Sequence, residues 1–141
     1  MKDYSFLNSL LLVNGVEISG FGEGDDAITM ERNNDSASHK VGADGEMTVS
    51  ISADRTGRLA FNLMQTSDSN TYLSALINAQ ENDAFVPIFV QYKDTRGKDI
   101  VSATQGYLTR PATMTRGANA NEQEWVIVTE RLDMLHLGGV L

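Results

Sequence analysis

Met47-Thr48-Val49-Ser50-Ile51-Ser52 and Leu59-Ala60-Phe61-Asn62-Leu63-Met64 flank the turn Asp54-Arg55-Thr56-Gly57. In both runs large apolar residues alternate with small or polar ones, the period-two signature of a half-buried strand. The same alternation sets Ile28 and Met30 against Thr29 and Glu31. Residues 10–13 and 16–18 flank Asn14-Gly15, a pair that tolerates the positive φ angles of a type I′ hairpin turn. Residues 85–93 and 98–109 flank Asp94-Thr95-Arg96-Gly97, a further hairpin signal, and 125–132 read as a closing strand. One segment departs from this period. Ser67 or Asp68 can cap a helix that places Tyr72, Leu73, Leu76 and Ile77 on one stripe. The residues therefore predict a mainly β (β+α) fold, an antiparallel β-barrel or sandwich with one flanking α-helix over about 67–82. Residues 33–46, rich in Asn, Asp, Ser and Gly, read as a long loop, and 111–122 as a second. Residues 20–26 form an acidic connector, and 133–141 a short apolar tail with Gly138-Gly139.

The 141 residues and 15.4 kDa fit a single domain spanning 1–141. A chain of that size buries about two-thirds of its unfolded surface and needs no staples to fold. It has no cysteine, which removes disulfides, thiolate metal sites and cysteine nucleophiles together. Nineteen acids against eleven bases give a net charge of −8, a sign that argues against gripping nucleic acid through its phosphates. The amino terminus lacks the long apolar core of a secretory signal, and no run approaches the roughly 18 apolar residues of a membrane span. The expectation is a chain made and left in a cytoplasm, with no membrane partner. Asn34-Asp35-Ser36 matches a glycosylation triplet, which carries no weight without export.

Catalytic chemistry finds little to work with. His39 lies in a polar stretch and His136 in the tail, and no G-x-S-x-G elbow exists to supply a serine nucleophile. Gly20-Phe21-Gly22-Glu23-Gly24 faintly resembles a phosphate-cradling loop, but a strand rather than a helix follows it, and Glu23, Asp25 and Asp26 would repel a phosphate. Those acids lack the ligand order and terminal glutamate of an EF-hand, so a solvated loop is the plainer reading. No carboxylate pair stands out for glycoside hydrolysis. Gln105, Tyr107, Tyr92 and Trp125 could line a pocket, although aromatics on alternating strands more often form core. The sequence offers no catalytic, cofactor-binding or metal-binding residue.

Two features point elsewhere. Glu17, Glu23, Asp25, Asp26, Glu31 and Asp35 stand against Arg32 alone, concentrating negative charge in one stretch. The strand faces opposite the apolar ones carry Thr29, Glu31, Thr48, Ser50, Ser52 and Asn62, small and polar. An antiparallel sheet with one wet face has this pattern. So does a water-filled channel closed by strands from several subunits, in which closure also removes exposed edges.

The chain also resembles a known family. The matching residues include Tyr4-Ser5-Phe6-Leu7-Asn8, residues 13–21, residues 42–48 and residues 52–57. They continue through Gln65-Thr66-Ser67-Asp68-Ser69-Asn70, residues 93–97 and Ala103-Thr104-Gln105-Gly106-Tyr107, to Trp125-Val126-Ile127-Val128 and Glu130-Arg131-Leu132-Asp133. In this order they cover essentially the whole chain and resemble the tail-tube proteins of contractile-tailed bacteriophages, whose fold is shared by analogy with type VI secretion tubes. The resemblance implies a virion structural protein without cofactors, assembled in the host cytoplasm. Six copies would form a ring, and stacked rings a tube that conducts DNA without binding it. Sheath, baseplate and tape-measure proteins would be partners. Six copies at −8 each give −48 per ring, so phosphate would be repelled and DNA could slide.

On this reading Thr29, Glu31, Thr48, Ser50 and Asn62 face the lumen, while Ile28, Met47, Val49, Phe61 and Leu63 pack on the helix stripe. The 33–46 loop, with Asn33, Asn34, Asp35, His39, Lys40, Asp44 and Glu46, reaches a neighbouring subunit or ring with the amino-terminal arm, and orders on stacking. Three alternatives stay open. One is a completion or initiator protein of the tail. Another is a monomeric β-barrel that binds a small ligand. A third is a small hydrolase using a carboxylate pair.

Overall fold

Antiparallel pairing organises most of the chain in the computed structural model, which describes residues 1, 3–96 and 99–137. A 3₁₀ turn at Phe6–Asn8 leads into strands β1 (Ser9–Val13), β2 (Val16–Glu17), β3 (Ile28–Arg32), β4 (Ala37–Val41), β5 (Met47–Ile51) and β6 (Gly57–Met64). Helix α1 (Ser69–Glu81) follows, then β7 (Ile88–Asp94), β8 (Ile100–Leu108) and β9 (Glu122–Leu135). Seven strands form one sheet in the order β2-β1-β7-β8-β9-β6-β3, whereas β4 and β5 pair only with each other. The mainly β fold with one helix is as the sequence predicts. Closure into a barrel is not seen, because β2 and β3 remain the two edges of an open sheet. The two-residue β2 is too short to supply a closing ladder.

The register explains the core. Asn14 and Gly15 both take positive φ, 50° and 80°, so the predicted tight turn joins β1 to β2. Residues directly opposite in an antiparallel pair share a face, and Phe61 lies opposite Ile28 on β3 and Trp125 on β9. Leu59, Phe61 and Leu63 thus point to one side with Ile127, Leu11, Val13 and Val90, where Leu73 and Ile77 of α1 cover them. Burying each such side chain contributes about 1.5–3 kcal/mol before entropy is counted. The core reading of the aromatics holds for buried Trp125 and half-buried Tyr92, but Tyr107 and Gln105 are exposed. The β7–β8 register shifts between Ile88 and Val90, and Gln105 takes a φ of 57° there. This bulge leaves Thr104 and Gln105 both exposed in succession.

Helix α1 is held by tertiary hydrogen bonds more than by its cap. Asp68 occupies the N-cap position without a side-chain hydrogen bond. Instead Ser67 Oγ accepts from Ser69 N–H and donates to the Ser19 carbonyl, while Ser19 N–H donates to Ser69 Oγ. Asn70 accepts from the Trp125 indole at 2.9 Å and donates to the Met64 carbonyl. At the other end Gln80 grips the Leu108 backbone twice, donating to its carbonyl at 2.9 Å and accepting its N–H at 3.1 Å. The observed helix falls within the predicted 67–82. No helix among the described residues is long and apolar enough to cross a membrane.

Two expectations fail. Residues 33–46 are not one long loop, since Ala37–Val41 form a strand between an irregular stretch at 33–36 and the turn at 42–46. Polar composition hides this strand, whose partner is a local hairpin neighbour rather than the core. Met47 and Val49 do not pack on the helix stripe. Both lie on the separate hairpin and are exposed, whereas Phe61 and Leu63 are buried as expected.

Candidate interaction surfaces

The β4–β5 hairpin grows from a hydrogen-bonded root. Asn33 donates to Thr56 Oγ1 at 3.1 Å, and Asn34 donates to Asp54 at 2.6 Å. Asp54 also accepts the Thr56 hydroxyl and N–H, at 2.7 and 2.9 Å. Those bonds, the Thr56 hydroxyl foremost, then its N–H and the Asn34 amide, hold the Asp54 carboxyl below the usual aspartate value of 3.8. At the tip, Gly45 takes a φ of +88°, and Asp44 accepts the Glu46 N–H.

Pairing along this hairpin sorts its residues by chemistry. Ala37 lies opposite Ile51, His39 opposite Val49 and Val41 opposite Met47. Ser38 lies opposite Ser50, and Lys40 opposite Thr48. One face is therefore apolar apart from His39 and the other polar. The apolar face has no cover among the described residues: Val41 is 60% exposed, Met47 57%, Val49 51% and Ile51 73%. A two-stranded hairpin is marginal alone in water, and an apolar face on it marks a contact surface.

The outer face of the large sheet carries a second apolar region, half-buried at Leu10 and Leu12 and exposed at Ile100. Leu10 pairs with Lys93 and Leu12 with Gln91, so all four lie on the face opposite Leu11 and Val13. With Ile100 and Ser102 of β8 they line a shallow groove of about 270 Å³. Farther along the same face, Thr29, Glu31, Arg58, Asn62 and Glu124 follow from the pairing of β3, β6 and β9. Ala60, Val126 and Val128 share this face with them, so the stretch mixes polar and apolar groups, and Asn62 there donates to the Asp26 carbonyl. The predicted lumen residues thus divide between two sheets. Thr29, Glu31 and Asn62 share the large sheet, while Thr48 and Ser50 occupy the polar face of the hairpin.

The residues predicted to reach a neighbour are gathered by the hairpin. Asn33 and Asn34 anchor its root, His39 and Lys40 lie on β4, and Asp44 and Glu46 form its tip. Asp35 precedes β4. The hairpin is formed within the single chain and does not wait for stacking. Sequence reasoning missed its exposed apolar face and the Leu10–Leu12 groove. Four consecutive apolar residues, Leu10 to Val13, were the available signal, because a strand apolar on both parities needs cover on both faces.

The acidic connector shapes a different recess. Glu23 and Asp25 border a cavity of about 370 Å³ with Phe6, Ile28, Met30 and Tyr92. Phe6 stands edge-on to Phe21 at 5.2 Å. Burial raises the Tyr92 hydroxyl above its usual value of 10, although a hydrogen bond with Ser9 opposes the shift. Among the described residues no three His, Asp or Glu side chains converge as metal ligands.

The family model described as "Bacteriophage PhiTE tail tube protein" matches residues 1–138. Similar solved structures include the tube-terminating cap of the anti-feeding prophage, 7% identical, with a TM-score of 0.64 over 96% of this chain and 92% of that one. Another is the sheath/tube terminator of the extracellular contractile injection system PVC in its extended state. It is 11% identical, with a TM-score of 0.68 over 96% and 99% of the two chains. These likenesses show a shared fold. No curated protein sequence matches the chain.

Proposed function

The chain belongs to the bacteriophage PhiTE tail tube protein family, and on that premise we propose that it is a tube subunit whose copies form six-membered rings that stack into a hollow conduit. The observation that carries this reading is the uncovered apolar face of the β4–β5 hairpin. The accessible surface agrees with a protruding hairpin. The chain exposes 9197 Å², whereas a compact monomer of 15.4 kDa exposes about 7,200 Å². The excess of about 2,000 Å² marks a chain less compact than a typical monomer, as a hairpin standing off the main sheet requires.

Thr29, Glu31 and Asn62, with Glu124, line the conduit on this proposal. Polar side chains and net negative charge there repel the DNA backbone, so DNA passes without being held. Thr48 and Ser50 follow the hairpin, on the face turned away from its apolar contact. Sheath, baseplate and tape-measure proteins are the partners of such a tube, which is built in the host cytoplasm and resides in the virion. Catalysis has no part in this role. Replacing Thr29 and Glu31 with lysine tests the lumen: tubes still form, DNA passage slows, and unchanged infectivity overturns the placement.

A second reading has its own support. Both similar solved structures carry terminator or cap in their descriptions. As a terminator or completion protein, this chain would close a tube with one ring rather than extend it. Purified protein then forms single rings whose length does not grow with concentration, whereas a tube subunit elongates.

A further inference from the structure

The outer face of the large sheet holds a basic recess whose charge the chain leaves unpaired. We propose that Arg58 and Arg110 there form a phosphate site, which takes a backbone phosphate of the DNA passing through the conduit. The proposal rests on the reading of this face as the conduit wall and adds a contact to it.

Strand register and the segment after β8 build the recess. Arg58 points outward because its neighbours Gly57 and Leu59 are buried, and it lies directly opposite Val128, with Val126 on the same face. Beyond Leu108, the Thr109 N–H donates to the Val126 carbonyl at 3.2 Å. Pro111 then fixes its own φ, and Ala112 packs against the core. The result is a recess of about 250 Å³, with Arg58, Arg110, Thr109, Thr113 and Glu124 around Val126 and Val128.

Both arginines are free to act. Among the described residues neither Arg58 nor Arg110 takes part in an ion pair or a side-chain hydrogen bond. Arg58 stands directly opposite Glu31 in the β3–β6 ladder, yet the two do not pair. In a chain with a net charge of −8, two arginines left unpaired at one recess do nothing for the fold. A guanidinium keeps its charge at every pH the protein meets, and its planar fork of donors fits phosphate oxygens. The hydroxyls of Thr109 and Thr113 add donors at the same recess. Half-buried Val126 and Val128 keep water from one side of it, which strengthens the attraction of opposite charges.

Position selects the occupant. Arg58 shares its face with Thr29, Glu31 and Asn62, the residues that the conduit reading turns toward DNA. Glu124 sets the strength, because its carboxylate lines the same recess and repels a phosphate. The contact is therefore weak and reads no base. A polyanion drawn past many copies needs contacts of that kind, which form and break.

The wild-type chain, kept below its assembly concentration, is titrated at low salt with a short DNA duplex while NMR follows the arginine Nε–H groups. The Arg58 and Arg110 signals should move together, and that of Arg116, exposed farther along the same loop, should not. Arg58→Gln or Arg110→Gln should weaken binding about threefold and lower the slope of log affinity against log salt by about 1. Glu124→Gln should tighten binding by a similar factor. Equal movement at Arg116, or unchanged affinity in both arginine variants, overturns the site. Inorganic phosphate is the second probe. If it moves the two signals while the duplex leaves them in place, the recess takes a free anion and the DNA assignment falls. Both arginine variants should assemble as the wild type does. Loss of assembly would put the recess in a subunit contact, overturning the proposal and leaving the tube reading standing. Wild-type protein that never assembles overturns the conduit reading, and passing DNA as the occupant with it, whatever the titration gives.

Discussion

Replacing Val49 and Ile51 together with aspartate separates assembly from folding. Val41, Met47, Val49 and Ile51 are each more than half exposed in the single chain, so covering them in an interface buries most of each side chain. Full burial of such a side chain contributes about 1.5–3 kcal/mol. Over half of that remains available at each position, about 1–2 kcal/mol, or about 4–8 kcal/mol for the face. Charging two of the four removes about half, at least about 2 kcal/mol, and adds the cost of desolvating two carboxylates. Association should weaken at least about 30-fold. The folded chain should barely notice, because exposed substitutions away from the core stay within about 0.5 kcal/mol, a shift of about 2 °C. Sedimentation velocity over a concentration series, beside thermal unfolding of the dispersed chain, reads both quantities. A folded double variant that assembles at the wild-type concentration refutes the role given to this face.

Three further outcomes test the account of the fold. A Cβ at Gly57 would lie 2.3–2.9 Å from side-chain atoms of buried Leu132, so Gly57→Ala should destabilise the chain by about 1–3 kcal/mol in denaturant unfolding. Gln80→Ala removes both bonds to the Leu108 backbone and should cost about 1–3 kcal/mol, read as a lower unfolding temperature. Asp54 has its folded pKa lowered, so its contribution is present above the unfolded value of 3.8 and is lost as pH falls through the folded one. Carboxyl titration by NMR should place its midpoint below 3.8, and Asn34→Ala should move that midpoint upward.

How much of this was legible in the sequence depends on where the physics is local. Asn14-Gly15 dictates its own turn, and the alternation of Leu59, Phe61 and Leu63 correctly marks the core face of β6. The helix follows from its stripe, with Leu73 and Ile77 buried as the spacing predicts. Met47, Val49 and Ile51 carry the same alternation as β6, yet their apolar face looks outward. Periodicity reports that a face is to be covered, and says nothing about whether the cover comes from the same chain. Strand β4 was hidden because Ser38, His39 and Lys40 look like loop, and its pairing with β5 is a property of the hairpin. The division of Thr29, Glu31 and Asn62 from Thr48 and Ser50 depends on sheet topology, which the pattern of single strands does not encode.

The central claim is that the uncovered surfaces of this chain meet copies of itself to make a conduit. Electron microscopy of the purified protein over a concentration series tests it most directly. The account predicts hollow tubes or six-fold rings that become more abundant as concentration rises. Particles that stay monomeric at the highest concentration, even with baseplate proteins added, would contradict it.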